Sequence, residues 1–528
     1  MASLKTYSVE NNGVNARRKN SSTTPNARVV ACETLLGAVD DTTRRVLFEP
    51  LSMLFNSYEF LFLFLPLTLG VCFYLASAWN PLLPRYWLLL ASLIFYSWWN
   101  TRDLPVLIVS VILNYTLGER MTRLAMAQGS LGRRRRLLAL AIALNLAILG
   151  TFKYGGPLGH GLPLGISFFT FTQIAFLVDA YRGDAKDYRF VDYALFVTFF
   201  PHLMAGPIIY HKAIVPQLEA NGFGRPSSAN LALGSFLFTI GLFKKVILAD
   251  TLAAWANAGF SKVDTLNFVE AWTTLSCYSL QLYFDFSGYT DMAIAGAQMF
   301  NVAFPSNFHS PYCATNIRDF WRRWHMTLSA FLKHYVYIPL GGSRSGAWRL
   351  ATVIGATFLL GGLWHGAGWT FVTWGLLNAA AVLVYDGWRR TKVRMPSLLA
   401  WSITFLFINI AWVFFRARSF SEALALLRAL VGYNGIVLPA PFARFIPSES
   451  PSLTYEPNVS AVLGHIGGSI YTFLWVLGGL MLALTVRDVD DLAKRFTTTW
   501  VSAILTGLLA AVTILSMTQP TQFLYFRF

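Results

Sequence analysis

The sequence predicts an all-α, multi-pass integral membrane protein, with roughly 11 to 14 transmembrane or re-entrant helices. Two observations carry that reading. The 528 residues are 55% hydrophobic and only 13% charged, with 17 Trp and 43 Phe, and the mean hydropathy is +0.49. Soluble domains carry about 25% charged residues, so lipid is the expected main solvent. Second, apolar runs recur from about residue 58 to the C-terminus with few polar linkers. That pattern makes residues 53–528 one large membrane domain.

Residues 1–52 differ. They are rich in Ser, Thr, Asn and Arg and hold no apolar core of a secretory signal. They read as a disordered polar extension or as the product of an upstream start, because Met53 directly precedes the first apolar run.

Spanning a bilayer takes about 20 mostly apolar residues. Tyr58–Ala78 meets that length, whereas Tyr86–Trp99 and Leu104–Leu117 are short and are expected to tilt, re-enter or be covered by neighbours. Further runs are Leu137–Phe152, Pro163–Ala180, Val191–Leu203, Leu231–Ala249 and Ala271–Phe286, with a weaker one at Asp291–Phe304. After a polar insert come Leu328–Leu340, Ala351–Leu363, Thr370–Tyr385, Leu398–Phe415, Ile470–Thr485 and Trp500–Met517. Residues 433–468 mix Pro, Ser and Gly and read as an extramembrane loop with little regular structure. No repeat of 20 to 50 residues is present, which argues against a repeat-built transporter.

The net charge is +16. In a soluble protein that would point to nucleic acid. In a membrane protein Lys and Arg hold loops on the cytoplasmic side, so no nucleic-acid partner is expected and membrane lipid is. Arg120 to Arg136 reads as such a loop. The four Cys, at 32, 72, 277 and 313, form no CxxC pair and no metal spacing; Cys72 and Cys277 read as packing residues.

A polar island runs from Leu280 to Arg344. It contains Asp285, Tyr289 and Asp291, then Arg318-Asp319-Phe320-Trp321-Arg322-Arg323-Trp324-His325. Ionisable residues at membrane depth are costly and so are functional candidates. The Trp and Arg residues also fit an amphipathic stretch lying in the membrane interface. Forty residues beyond His325, Leu360-Gly361-Gly362-Leu363-Trp364-His365-Gly366 places one His in an apolar, glycine-rich run. By itself, such a His reads equally as a buried side chain held by a carbonyl. A helix hairpin would bring His325 and His365 together.

A neutral imidazole can take a proton from an attacking hydroxyl near neutral pH, and acyl transfer also needs donors for the oxyanion. No GxSxG, Walker A or GxGxxG sequence is present, so direct transfer without a serine acyl-enzyme is the simpler chemistry. His202 and His211 flank Ala205-Gly206-Pro207-Ile208, which reads as a break between helices. His309 and His334 belong to the polar island, and His160 and His465 read as loop residues.

With these residues in view, the chain resembles the bacterial membrane-bound O-acyltransferases, and among them the alginate O-acetyltransferase group. The resemblance rests on Met53–Pro66, Phe199–Ile209, Tyr283–Arg344, Leu360–Trp374 and the closing Phe523-Leu-Tyr-Phe-Arg-Phe. Trp-Arg-Arg-Trp-His followed by Gly-Leu-Trp-His-Gly is the specific part. The resemblance implies that His365 stands at the family's invariant intramembrane histidine and His325 at its second characteristic polar position. By that resemblance both would line a central tunnel through the helices. Asp285, Tyr289, Asp319, Trp321, Arg322, Arg323, Trp324 and Trp364 are further candidates for binding substrate or supporting the site. The resemblance further implies acetyl-CoA or another acyl thioester as cytoplasmic donor, with no bound cofactor or metal. The acceptor would be an extracytoplasmic polysaccharide, the location a bacterial inner membrane, and the partner an extracytoplasmic acetyltransferase. Alternatives are an acyl carrier protein as donor, as in D-alanylation of teichoic acids, and a glycan or lipid transporter or export scaffold without acyl chemistry. Residues 1–52 and 433–468 match nothing in the family pattern, which leaves the acceptor open among alginate, cellulose, peptidoglycan and other glycans.

Overall fold

The computed structural model describes residues 53–524, apart from residues 78–79, 128, 156–161, 186, 345, 447–451, 487 and 519–520. The extension 1–52, His160 and the last four residues lie outside the described residues.

Regular structure among the described residues is helical, apart from one pair of short strands. In order it forms α1 (Leu65–Ala76), α2 (Leu83–Trp99), α3 (Leu104–Met126), α4 (Leu131–Tyr154), α5 (Ile166–Arg182), α6 (Phe190–Thr198), α7 (Phe200–Leu203) and α8 (His211–Glu219). Then come α9 (Ser228–Phe243), a π-helical segment (Lys244–Ala249), α10 (Asp250–Phe260), α11 (Phe268–Met299), α12 (Ile317–Arg323), α13 (Met326–Leu332) and a further π-helical segment (Lys333–Tyr337); another, Phe60–Phe64, leads into α1. The last third holds α14 (Ala347–His365), α15 (Trp369–Thr391), α16 (Ser397–Arg416), α17 (Phe420–Leu430), α18 (Val459–Val462), α19 (Ile470–Thr485), α20 (Val489–Arg495) and α21 (Trp500–Leu515).

Among the described residues five helices are long and apolar enough to cross a membrane: Thr101–Met126, Leu131–Tyr154, Ser228–Phe260, Ala347–His365 and Ser397–Arg416. Counting α19 and α20 as one bent span makes six. The other expected runs are shorter apolar helices, such as α21, or interior ones. Three sequence expectations need correction. Arg120 and Arg123 lie in α3, and Arg133 to Arg136 in the first turns of α4, so the loop between the two helices is only residues 127–130. The basic residues extend the helices beyond their apolar lengths, as long flexible cations can at a membrane surface. Residues 433–468 are not irregular: Ile436–Pro439 and Leu453–Glu456 pair as parallel strands, and α18 follows. Finally, Ala271–Phe286 and Asp291–Phe304 are not two segments, since residues 268–299 form one helix.

That helix, α11, organises the interior. It starts at a capping box formed by Asn267 and Glu270 and runs 32 residues, about 48 Å at about 1.5 Å per residue. From Thr273 onward most of its residues are buried. Its two mid-helix acids are neutralised by the π-helical segment Lys244–Ala249: Lys245 Nζ lies 2.7 Å from Asp285, and Lys244 Nζ 2.6 Å from Asp291. Glycine permits this approach. A Cβ at Gly241 would stand 2.7 Å from the Gly288 carbonyl oxygen, and one at Gly288 2.7 Å from that of Gly241. Small residues at such a crossing let backbones close up, which brings both lysines within reach of the carboxylates.

Candidate active site

His325 sits in the turn between α12 and α13 with φ +44° and ψ +54°. A left-handed conformation in a residue other than glycine costs about 1–3 kcal/mol, so something must hold it. The holder is Asn307. Its Oδ1 lies 3.2 Å from His325 Nδ1 and accepts from Thr327 N at 3.2 Å and Thr327 Oγ1 at 2.7 Å. Because the same oxygen accepts from a backbone N–H, the hydrogen bond to His325 requires the proton on Nδ1. In the neutral ring the lone pair is then on Nε2. Thr327 Oγ1 accepts in turn from Ile208 N at 3.0 Å. The break after α7, read from Ala205-Gly206-Pro207, thereby braces the His325 turn.

His365 is the last residue of α14. Its backbone region is fixed by glycine and by α4. A Cβ at Gly362 would meet the Phe371 carbonyl oxygen at 2.4 Å, and one at Gly366 the Phe371 ring at 2.1 Å, so α14 and α15 close into a tight hairpin. Lys153 donates to the Trp364 carbonyl and Tyr154 OH to that of Leu363, the latter at 2.6 Å. Both histidines are buried. Their ring centroids are 6.5 Å apart, so both imidazoles can address one reacting group beside them. The walls are aromatic: Phe286 packs on His325 at 4.8 Å, and Trp364, Trp374 and Phe415 pack on His365 at 4.8, 5.2 and 5.0 Å.

A cavity of about 330 Å³ reaches His365. Trp321 and Trp374 line its apolar part, and Arg318, Arg322 and Lys333 stand among its lining residues. Arg318 is engaged by Asp386, with Nε 2.6 Å from Oδ1, and this bond raises its pKa above the ordinary value. Arg323 pairs with Asp319 at 2.9 Å. Among the described residues, neither Arg322 nor Lys333 has a carboxylate within ion-pair distance. The cavity is therefore aromatic near the imidazole and carries positive charge without an ion-pair partner elsewhere. No group of three or more His, Cys, Asp or Glu among the described residues could hold a metal ion.

Of the other expected residues, Trp364 packs on both histidine rings, with centroids 5.9 Å from His325 and 4.8 Å from His365. Trp324 is buried against Trp412 and Phe320. Asp319 and Arg323 form a pair that does not line the cavity. Asp285 and Tyr289 are placed elsewhere. Asp285 holds Lys245 and accepts from Leu524 N at 2.8 Å, and Tyr289 stacks on Phe55 and meets Phe523 edge-on. The remaining described histidines serve local contacts: His202 bonds the Phe196 carbonyl, His211 joins Asp179 and Tyr188, His309 meets Asp488, His334 the Ala330 carbonyl, and His465 Glu270. Asn307, Thr327 and Lys153 were not singled out in the sequence.

A paired imidazole site beside an apolar cavity with cations in its lining suits acyl transfer, and the comparisons agree. The profile of the membrane-bound O-acyltransferase family matches residues 93–421. The chain belongs to that family. A peptidoglycan O-acetyltransferase of Helicobacter pylori is 40% identical over 524 residues, covering 90% of this chain and 98% of the relative. A probable alginate O-acetylase of Pseudomonas aeruginosa is 37% identical over 407 residues, 72% of this chain and 75% of its own. A teichoic acid D-alanyltransferase of Bacillus subtilis is 29% identical over 274 residues, 49% of this chain and 69% of its own. The protein is thus a multi-pass membrane acyltransferase.

Proposed function

We propose that this acyltransferase moves an acetyl group from a cytoplasmic thioester donor towards the hydroxyls of an extracytoplasmic polysaccharide in a bacterial inner membrane. The observation that carries the reading is the cavity: His365 lines it together with Arg322 and Lys333. Acetyl-CoA and carrier-bound phosphopantetheine both join a thioester to phosphate, and the two cations suit that phosphate. The basic residues around this cavity support reading its end as the cytoplasmic one. His365 serves as general base towards the acceptor hydroxyl. His325 is its partner in binding or polarising the acyl group: in the tautomer that Asn307 fixes, Nε2 is an acceptor, so donation to the acyl carbonyl requires the imidazolium form.

For the acceptor, an alginate-like polymer follows the group the chain resembles, with a partner acetyltransferase outside the membrane completing the modification. Peptidoglycan is the second reading, favoured by the longer and closer match to the Helicobacter pylori relative. The test measures ester-linked acetate on exopolysaccharide and on peptidoglycan separately. It compares wild type, a deletion, His325→Ala and His365→Ala at matched membrane levels. A general base contributes about 10²–10⁴ in rate, so His365→Ala should abolish measurable acetate in one fraction. Full acetate in both fractions for both variants would point to a transporter or scaffold.

A further inference from the structure

A second concave site lies on an adjacent face of α15, and no histidine lines it. It is a groove of about 460 Å³ between α15 and α16, floored by Ala380, Ala381 and Ala400 and walled by Val384, Ile403 and Phe407. On α15 it runs from Leu377 to Trp388, about 16 Å at the helical rise of about 1.5 Å. One leaflet of a bilayer has about 15 Å of hydrocarbon, half of about 30 Å. The groove therefore has the length of one leaflet.

Its Trp388 end carries charge of one sign. Arg389, Arg390, Lys392 and Arg394 follow within six residues, all exposed. From Gly387 to Arg416 the sequence has no Asp or Glu, and the nearest acid, Asp386, is taken by Arg318. Among the described residues no carboxylate pairs with any of the four. Arg318 also lines the active-site cavity, so this end of the groove faces the side read above as cytoplasmic. Trp388, 41% exposed, has the amphipathic ring found at headgroup level.

We propose that this groove is a binding site for an anionic glycerophospholipid. One acyl chain lies against the alanine floor, and the phosphate and its anionic headgroup meet Arg389, Arg390, Lys392 and Arg394. The alanines matter because larger side chains would fill the space between the helices. The charge matters because basic residues at a membrane surface attract anionic lipid by an amount that is roughly fivefold in binding for each residue.

The experiment uses the full-length protein in detergent, offered equal amounts of dioleoyl phosphatidylglycerol and dioleoyl phosphatidylcholine, with retained lipid counted by native mass spectrometry. Wild type should retain the anionic lipid about tenfold or more over the zwitterionic one. Replacing all four cations with Gln should erase that preference, and these exposed positions should leave the melting midpoint unchanged. Ala381→Phe with Ala400→Phe, which fills the floor but keeps the charge, should cut retention of both lipids. Millimolar inorganic phosphate should not displace the lipid. Equal retention of the two lipids by wild type overturns the proposal, as does an unchanged preference in the Gln variant. Unaltered retention in the Phe variant, or displacement by phosphate alone, reduces the site to a surface charge effect and overturns it as well.

Discussion

Replacing Asn307 with Ala tests whether the site depends on a held histidine rather than on a histidine merely being present. Asn307 Oδ1 receives three hydrogen bonds, from His325 Nδ1 and from Thr327 N and Oγ1. At about 0.5–1.5 kcal/mol each they are worth roughly 1.5–4.5 kcal/mol. The left-handed backbone they hold, with φ +44° at His325, costs about 1–3 kcal/mol. The two figures are of the same size, so the amide decides whether the turn is kept. Without it, the turn loses those roughly 1.5–4.5 kcal/mol of support, and the competent population should fall roughly tenfold to 1,000-fold. The backbone bond from Met326 N to the Asn307 carbonyl, at 3.0 Å, survives the change and preserves the chain path. The assay is the initial rate of ester-acetate formation in membranes of matched protein content, with melting in detergent as the folding control. The double variant Asn307→Ala, His325→Ala should be no worse than His325→Ala alone, because both changes act on one ring. A rate within twofold of wild type for Asn307→Ala, or fully additive losses in the double variant, refutes the reasoning.

Arg322→Ala and Lys333→Ala should each raise KM for the thioester donor about tenfold to 100-fold with kcat little changed, as expected for a lost charged hydrogen bond of about 1.5–3 kcal/mol; donor titration in membrane vesicles checks this. Lys245 bridges Asp285 and Asp250, at 2.7 and 2.8 Å, so Lys245→Met strands the buried Asp285 and unpairs Asp250; breaking a buried pair from one side costs about 3–5 kcal/mol. The melting midpoint in detergent should drop sharply, and adding Asp285→Leu should recover part of the loss, the rest staying with Asp250. Gly362→Ala should remove both stability and activity, since its Cβ would stand 2.4 Å from the Phe371 carbonyl oxygen, whereas Gly355→Ala on the same helix meets nothing within 4 Å and should be neutral. Comparing melting and acetate for that pair separates hairpin closure from general tolerance of α14.

What the sequence discloses about this site is set by the range of the signals it carries. His365 stands out because one imidazole interrupts a local apolar, glycine-rich run, and His325 because it closes a local cluster of Trp and Arg. Both patterns are short-range. Asn307 lies 18 residues before His325 and meets it only because the chain folds back along the end of α11, and Lys153 reaches the Trp364 carbonyl from 211 residues away. Neither relation leaves a periodic trace. The same limit explains the helix boundaries. Apolar runs mark the lengths that meet lipid or core, so they omit the basic first turns of α4 and divide α11 at Asp291.

Asp285 shows why cost at membrane depth finds important residues without telling their task. A buried carboxylate needs either a reacting partner or a neutralising one, and from the sequence both look alike: an acid among aromatics. The deciding fact is Lys245, 40 residues earlier, on a π-helical segment that apolar patterning cannot announce. That lysine reaches Asp285 only because Gly241 and Gly288 let two helices touch backbone to backbone. The pair then receives Leu524 N on Asp285 and the Gln522 carbonyl against Lys245, which ties the C-terminal segment to the middle of α11. Phe286, the next residue along, turns to the other side and packs on His325. One helical step thus separates a carboxylate that fixes the scaffold from an aromatic wall of the reaction site. Substitutions at Asp285 should therefore affect activity through the position of Phe286, in step with stability rather than independently of it.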